Sequence, residues 1–149
     1  MYNTSKDFIF HHIGYACTDV VEYKKNFIPL LKKNSELLYD DINQNVRALF
    51  IDLIGNYKIE LLQVLDNNTY CPIKKYIEKN KSGFHHICYE TADINKGVDL
   101  FKRNGYRLIS STKNGFEGRD VSFLIPKPNP DGPLIEIVSY EKTRVNNYV

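Results

Sequence analysis

Tryptophan is missing from this chain of 149 residues, methionine occurs once, and cysteine occurs three times, as Cys17, Cys71 and Cys88. An odd number of cysteines with no C-x-x-C spacing argues against a disulfide framework and against a zinc knuckle. The three thiols are therefore read as reduced and partly buried. Charge of one sign is also lacking: 20 basic residues stand against 18 acidic ones, a formal net of +2, and the lysines are scattered rather than gathered in a block. That balance gives no support to nucleic acid or an anionic membrane as a partner. No apolar run approaches the roughly 18 residues of a membrane-spanning helix. The expectation is a soluble, cytoplasmic protein with neither nucleic acid nor membrane as partner. With 42% hydrophobic and 26% charged residues the composition is ordinary for a globular chain, and this length buries about two thirds of the unfolded surface without help from disulfides.

Against this plain background stands a repeat. All four histidines lie in two copies of one tetrad, Phe10-His11-His12-Ile13 and Phe84-His85-His86-Ile87. The same offset pairs Tyr15 with Tyr89, Asp19 with Asp93, Val20 with Ile94 and Phe27 with Phe101. With a slightly larger offset, Ile59-Glu60-Leu61 resembles Ile135-Glu136-Ile137. Each half thus opens on a histidine pair and closes on a glutamate set in an apolar run, which points to an internal duplication.

Local patterns give each half the same plan. Phe8–Ala16 and Phe84–Glu90 read as strands, rich in aromatic and branched residues. Asp19 and Asp93 stand at helix N-cap positions, followed by helical faces of Val20, Phe27 and Leu31 in the first half and Ile94, Val98 and Phe101 in the second. Asn104-Gly105 is a helix stop. Three strands follow each helix: 36–39, 46–53 and 57–65, the last two joined by a turn at Gly55-Asn56, then 106–110, 120–125 and 134–140. The four prolines of Pro126–Pro133 make that connection a loop. Between the halves, 71–80 carries Ile73, Tyr76 and Ile77 at helical spacing. The predicted fold is α+β: one domain over residues 1–149, built of two tandem βαβββ modules, about 8–66 and 83–140, joined by a short helix.

Strand alternation places His12 and His11 on opposite faces of the opening strand, so one histidine of each pair can serve a given site. Glu60 shares a face with Lys58 and Leu62, and Glu136 with Leu134 and Val138. A carboxylate flanked by aliphatic neighbours on a core-like strand is costly unless paired or bound to a cation. Two imidazoles and two carboxylates suit one divalent ion of Zn, Ni, Co, Mn or Fe, with a position left for water or substrate. Spacing alone leaves either histidine of each pair as the ligand.

The paired H-H-I-x-Y openings and the closing Leu134-Ile135-Glu136-Ile137 resemble the vicinal oxygen chelate superfamily, also known as the glyoxalase, bleomycin-resistance and dioxygenase superfamily. Within it, Phe10 to Cys17, Gly83 to His86, Phe123 to Lys127 and Gly132 to Glu136 are most similar to the methylmalonyl-CoA epimerases. The resemblance implies a curled mixed sheet around a divalent metal. By motif it selects His12, His86 and Glu136 as ligands, with Glu60 in the fourth ligand position. It further implies an isomerase or epimerase that moves a proton next to a carbonyl, with Glu60 and Glu136 as the catalytic carboxylates and a small-molecule substrate such as an acyl-CoA or another thioester or thiol adduct. A homodimer also follows from it. The separate acid/base glutamate that it places near 46–49 is replaced by a stretch whose one charged residue is Arg47. Arg47, Arg119 and Lys127 are candidates for an anionic substrate group, Arg119 and Lys127 more simply as solvated loop charges. The alternatives are lactoylglutathione lyase (glyoxalase I), which matches a His, Glu, His, Glu set, and a metal-free module that binds a small molecule or confers resistance by sequestering it.

Overall fold

The computed structural model describes residues 7–127 and 132–141. These form two compact units, one spanning His12–His85, the other joining the stretch up to His11 with the chain from His86 onward. The first unit holds β1 (Phe8–Ala16) from His12 on, α1 (Val20–Lys24), β2 (Leu31–Asp41), β3 (Val46–Leu53), β4 (Tyr57–Val64) and α2 (Lys74–Asn80). Its strands lie in the order β2-β3-β4-β1, with β1 parallel to β4 and the other pairs antiparallel. The second unit holds β5 (Gly83–Thr91) from His86 on, α3 (Ile94–Arg103), β6 (Tyr106–Thr112), β7 (Val121–Pro126) and β8 (Leu134–Ser139). Here β5 runs parallel to β8, while β8–β7 and β7–β6 are antiparallel. Strand-helix-three-strand recurs as the sequence pattern predicts, and the parallel pairing of first and last strand brings each histidine strand beside its glutamate strand.

Both helix starts are capped by the predicted aspartates. The carboxylate of Asp19 accepts the amides of Val21 and Glu22, and that of Asp93 accepts the amide of Lys96. The α3 helix buries Val98 with Ile94 and Phe101 beside it, against Leu124, Ile137 and the ring of Phe8. It stops at Asn104, followed by Gly105 at φ +86°, a left-handed position that glycine adopts at little cost. Gly55 and Asn56, both at positive φ, make the predicted turn between β3 and β4.

The first helix differs from the periodicity reading. It ends at Lys24, the chain continues as a 3-10 turn over Lys25–Leu30, and Leu31 already belongs to β2. Pro29 lies inside that turn; it has no amide proton, and its ring would collide with the carbonyl four residues earlier in an α-helix. Phe27 and Leu31 nevertheless reach the core of Cys17, Val20, Leu49, Ile51 and Leu61, burying the apolar face that the spacing predicts in a conformation that is not α-helical. The opposite face of the same sheet buries Val46, Ala48 and Leu62 under Cys71 and Ile73, at the start of the connecting helix α2. The proline-rich connection lies partly outside the described residues, with Pro126 ending β7.

Duplication shows in the aromatic contacts too. Phe84 meets Tyr15 edge to face at 5.7 Å in the first unit, and Phe10 meets Tyr89 in the same manner at 6.1 Å in the second. Each phenylalanine of a tetrad thus packs on the tyrosine of the other copy.

Candidate metal centre

Register explains how each histidine meets its glutamate. In the first unit Gly14, two residues beyond His12, is the partner of Glu60 on the parallel strand. In the second, Cys88, two residues beyond His86, is the partner of Glu136. Paired residues of adjacent strands point to the same side, so histidine and glutamate share a face in both halves. Their tips then converge: His12 Nε2 lies 3.3 Å from Glu60 Oε2, and His86 Nε2 lies 3.0 Å from Glu136 Oε2. All four residues are buried, with 2% to 8% of their surface exposed. Burying a carboxylate without compensation costs several kcal/mol; a close imidazole offsets part of that cost, and a cation would offset more.

Each half also contains a residue that periodicity did not single out. Phe50 lies directly across from Glu60 in the β3–β4 ladder, and Phe123 directly across from Glu136 in the β7–β8 ladder. The ring of Phe50 meets the imidazole of His12 edge to face at 5.2 Å and 88°, and that of Phe123 meets His86 at 5.6 Å and 83°. The unit that repeats is therefore histidine, glutamate and phenylalanine. Its signal in the sequence was an aromatic in the strand before each glutamate, recognisable once cross-strand register is known.

The remaining histidines part company. His85 packs edge to face on Tyr76 at 5.5 Å. His11 Nε2 lies 3.3 Å from Glu90 Oε1, and Glu90 shares its side of β5 with His86 by alternation. His11 thus has a buried carboxylate as its partner.

Two of the three residues proposed for an anionic substrate group need correction. Arg47 does not share the side of Glu60: it alternates with Ala48 and Phe50, so it points away from the side that carries Glu60. It grips Asp40 of the neighbouring strand with two hydrogen bonds, 2.7 and 2.9 Å, which hold the Asp40 carboxyl below the usual carboxylate range. On the Glu60 side of the segment where the resemblance implied an acid/base carboxylate, the residues are Val46 and Ala48. Arg119 is not a solvated loop charge. It is buried, its guanidinium donates to Glu90 Oε1 at 2.8 Å and to the backbone carbonyl of Ser139 at 2.7 Å. That network was illegible because its members lie 20 and 29 residues apart. Lys127 stands exposed just after β7, as a loop charge would.

The thiols stay reduced and are buried; burial pushes Cys17 up to about 11. No helix among the described residues is long and apolar enough to cross a membrane.

Comparison with known proteins supports the same architecture. The family model for the Glyoxalase/Bleomycin resistance protein/Dioxygenase superfamily matches residues 11–123. The ethylmalonyl-CoA/methylmalonyl-CoA epimerase of Cereibacter sphaeroides is 35% identical over 130 residues, 85% of this chain and 94% of that protein. A mitochondrial methylmalonyl-CoA epimerase of Mus musculus is 32% identical over 85% of this chain and 70% of its own length. Among solved structures, a variant of Streptomyces coelicolor methylmalonyl-CoA epimerase in complex with 2-nitronate-propionyl-CoA aligns with a TM-score of 0.69 at 25% identity, covering 87% of this chain and 95% of that one.

Proposed function

Because the chain belongs to the glyoxalase/bleomycin resistance protein/dioxygenase superfamily, we propose that it is a methylmalonyl-CoA epimerase in which His12, Glu60, His86 and Glu136 together hold one divalent metal ion. The observation that carries this reading is the pair of buried His–Glu contacts at repeat-equivalent positions, 3.3 and 3.0 Å, in a chain 35% identical to an epimerase over most of its length. Either pair alone offers one nitrogen and one carboxylate, too few for a divalent ion. The two pairs together make the two-imidazole, two-carboxylate set that suits Co, Ni, Zn, Mn or Fe.

A bound divalent ion supplies Lewis acidity that stabilises the negative charge developing on a carbonyl oxygen as the neighbouring carbon loses its proton. The protein's own groups do the rest. Glu60 and Glu136 are the two carboxylates able to take the α-proton and return one, which is what inversion at that carbon requires. Phe50 and Phe123 flank these glutamates with apolar rings and keep water from the charged groups. A thioester such as an acyl-CoA is the matching substrate class, since its α-carbon bears an acidic proton.

Glu60→Gln and Glu136→Gln should each slow exchange of the α-proton of methylmalonyl-CoA with deuterated water by about a hundredfold or more; exchange at the wild-type rate in either variant would overturn the assignment. The His, Glu, His, Glu set also fits lactoylglutathione lyase. Helix α2, inserted between Glu60 and His86, favours the epimerase, and turnover of methylglyoxal with glutathione but not of methylmalonyl-CoA would decide for the lyase. A cytoplasmic homodimer completes the proposal. Exposed Ile28, Leu30, Ile54 and Tyr57 in the first unit offer apolar surface for a second copy, and light scattering that returned the monomer mass would remove the dimer.

A further inference from the structure

The two half-sites share histidine, glutamate and phenylalanine, but the first has a fourth member. Tyr39, on β2, stacks its ring on Phe50 with centroids 6.2 Å apart and planes 11° from parallel. Phe50 in turn holds its ring edge to face against His12. The Tyr39 hydroxyl lies 3.5 Å from Glu60 Oε1, a long hydrogen bond in which the phenol donates. The other oxygen, Oε2, is the one beside His12 Nε2. Tyr39 itself is fixed from behind, because it packs against the cluster of Val46, Ala48, Leu62, Cys71 and Ile73.

Strand register shows that this feature belongs to one half. Tyr39 is the partner of Ala48, two residues before Phe50. The corresponding place in the second half, opposite Val121 and two residues before Phe123, is Thr112. A threonine has no ring to stack and too short a side chain to act as a phenol does. From this difference we propose that Tyr39 is a positioning residue for the metal ligand Glu60. Its hydroxyl holds Oε1 and leaves Oε2 as the oxygen presented on the histidine side, while its ring, through Phe50, fixes the plane of the His12 imidazole. Groups that orient metal ligands in this way commonly change metal affinity by ten- to a hundredfold when removed. The inference rests on the metal-binding reading above.

The test is titration of the metal-free full-length protein with Co2+, following the visible absorption of the bound ion, for the wild type, Tyr39→Phe and Thr112→Val. Tyr39→Phe keeps the stacked ring and removes only the hydroxyl. It should weaken Co2+ binding about tenfold and alter the absorption envelope, with the unfolding midpoint of the metal-free protein unchanged. Thr112→Val should match the wild type. Affinity and spectrum of Tyr39→Phe within twofold of the wild type would overturn the role of the Tyr39 hydroxyl in holding Glu60 and leave the metal site standing. An equal loss in Thr112→Val would also overturn it, since any edge-strand change would then perturb the site. A wild-type protein that takes up no Co2+ would overturn the metal reading and this inference with it.

Discussion

The two halves of the chain agree in their histidine, glutamate and phenylalanine and differ in what stands behind them. Histidine, glutamate and phenylalanine occupy matching register positions in both. Behind the first set stand Tyr39 and a surface pair of Arg47 with Asp40. Beside the second lies a buried network in which Glu90 meets both Arg119 and His11. A duplicated module thus keeps the histidine, glutamate and phenylalanine at matching positions and is free to change their supports, because many different side chains can fill or brace the same space.

The largest expected consequence of that difference concerns the arginines. Arg119→Met removes the guanidinium from a buried ion pair with Glu90 and should cost about 3 kcal/mol of stability, read from urea unfolding. Arg47→Met breaks a solvent-facing pair and should leave the urea midpoint almost where it is. Equal losses would erase the distinction drawn between the two halves.

Next come the shared phenylalanines. Phe50→Leu and Phe123→Leu should each weaken divalent metal binding about tenfold by releasing an imidazole, the Phe50 variant more, since it also releases Tyr39. Calorimetric titration of the two variants would show whether the repeat unit has three members or two. Smaller again is the effect of the caps. Asp19→Ala should cost about 1 kcal/mol, because its carboxylate accepts two amides; Asp93→Ala should destabilise in the same direction.

The smallest effect lies in alkaline solution. Cys17 corresponds by the repeat to Thr91, which does not titrate. Burial raises the Cys17 thiol to about 11 from its ordinary 9.0, so between those values the unfolded chain gives up a proton that the folded protein keeps. Its contribution to stability is complete below pH 9 and is lost as pH rises towards 11. Unfolding free energies measured from pH 8 to pH 11 should fall in the wild type, and Cys17→Ala should flatten that part of the profile.

Much of this was legible in the sequence because it rests on short-range pattern. The tetrads, the aspartate caps and the succession of strand, helix and three strands in each half follow from periodicity and repetition, as does the placing of both glutamates on closing strands. What failed depended on pairs distant in sequence or on a local veto. The apolar spacing of Val20, Phe27 and Leu31 fits a helix until Pro29 forbids one. Charge alone makes Arg47 a candidate for an anionic substrate group, but its parity relative to Glu60 is fixed by the β3–β4 register. Arg119 looked like a loop charge because Glu90, its partner, is 29 residues away. Phe50 and Phe123 were ordinary strand aromatics until the ladders set them across from the glutamates. Sequence spacing sees along a strand; it does not see across one.

The central claim, that two half-sites make one metal centre, is tested most directly by metal stoichiometry. Purified protein reconstituted with Co2+ and freed of excess ion should contain one ion per chain by elemental analysis, and His12→Ala or His86→Ala alone should each bring that close to zero. Two ions per chain, or a full complement retained in either variant, would mean that the halves bind separately or not at all, and would contradict the account.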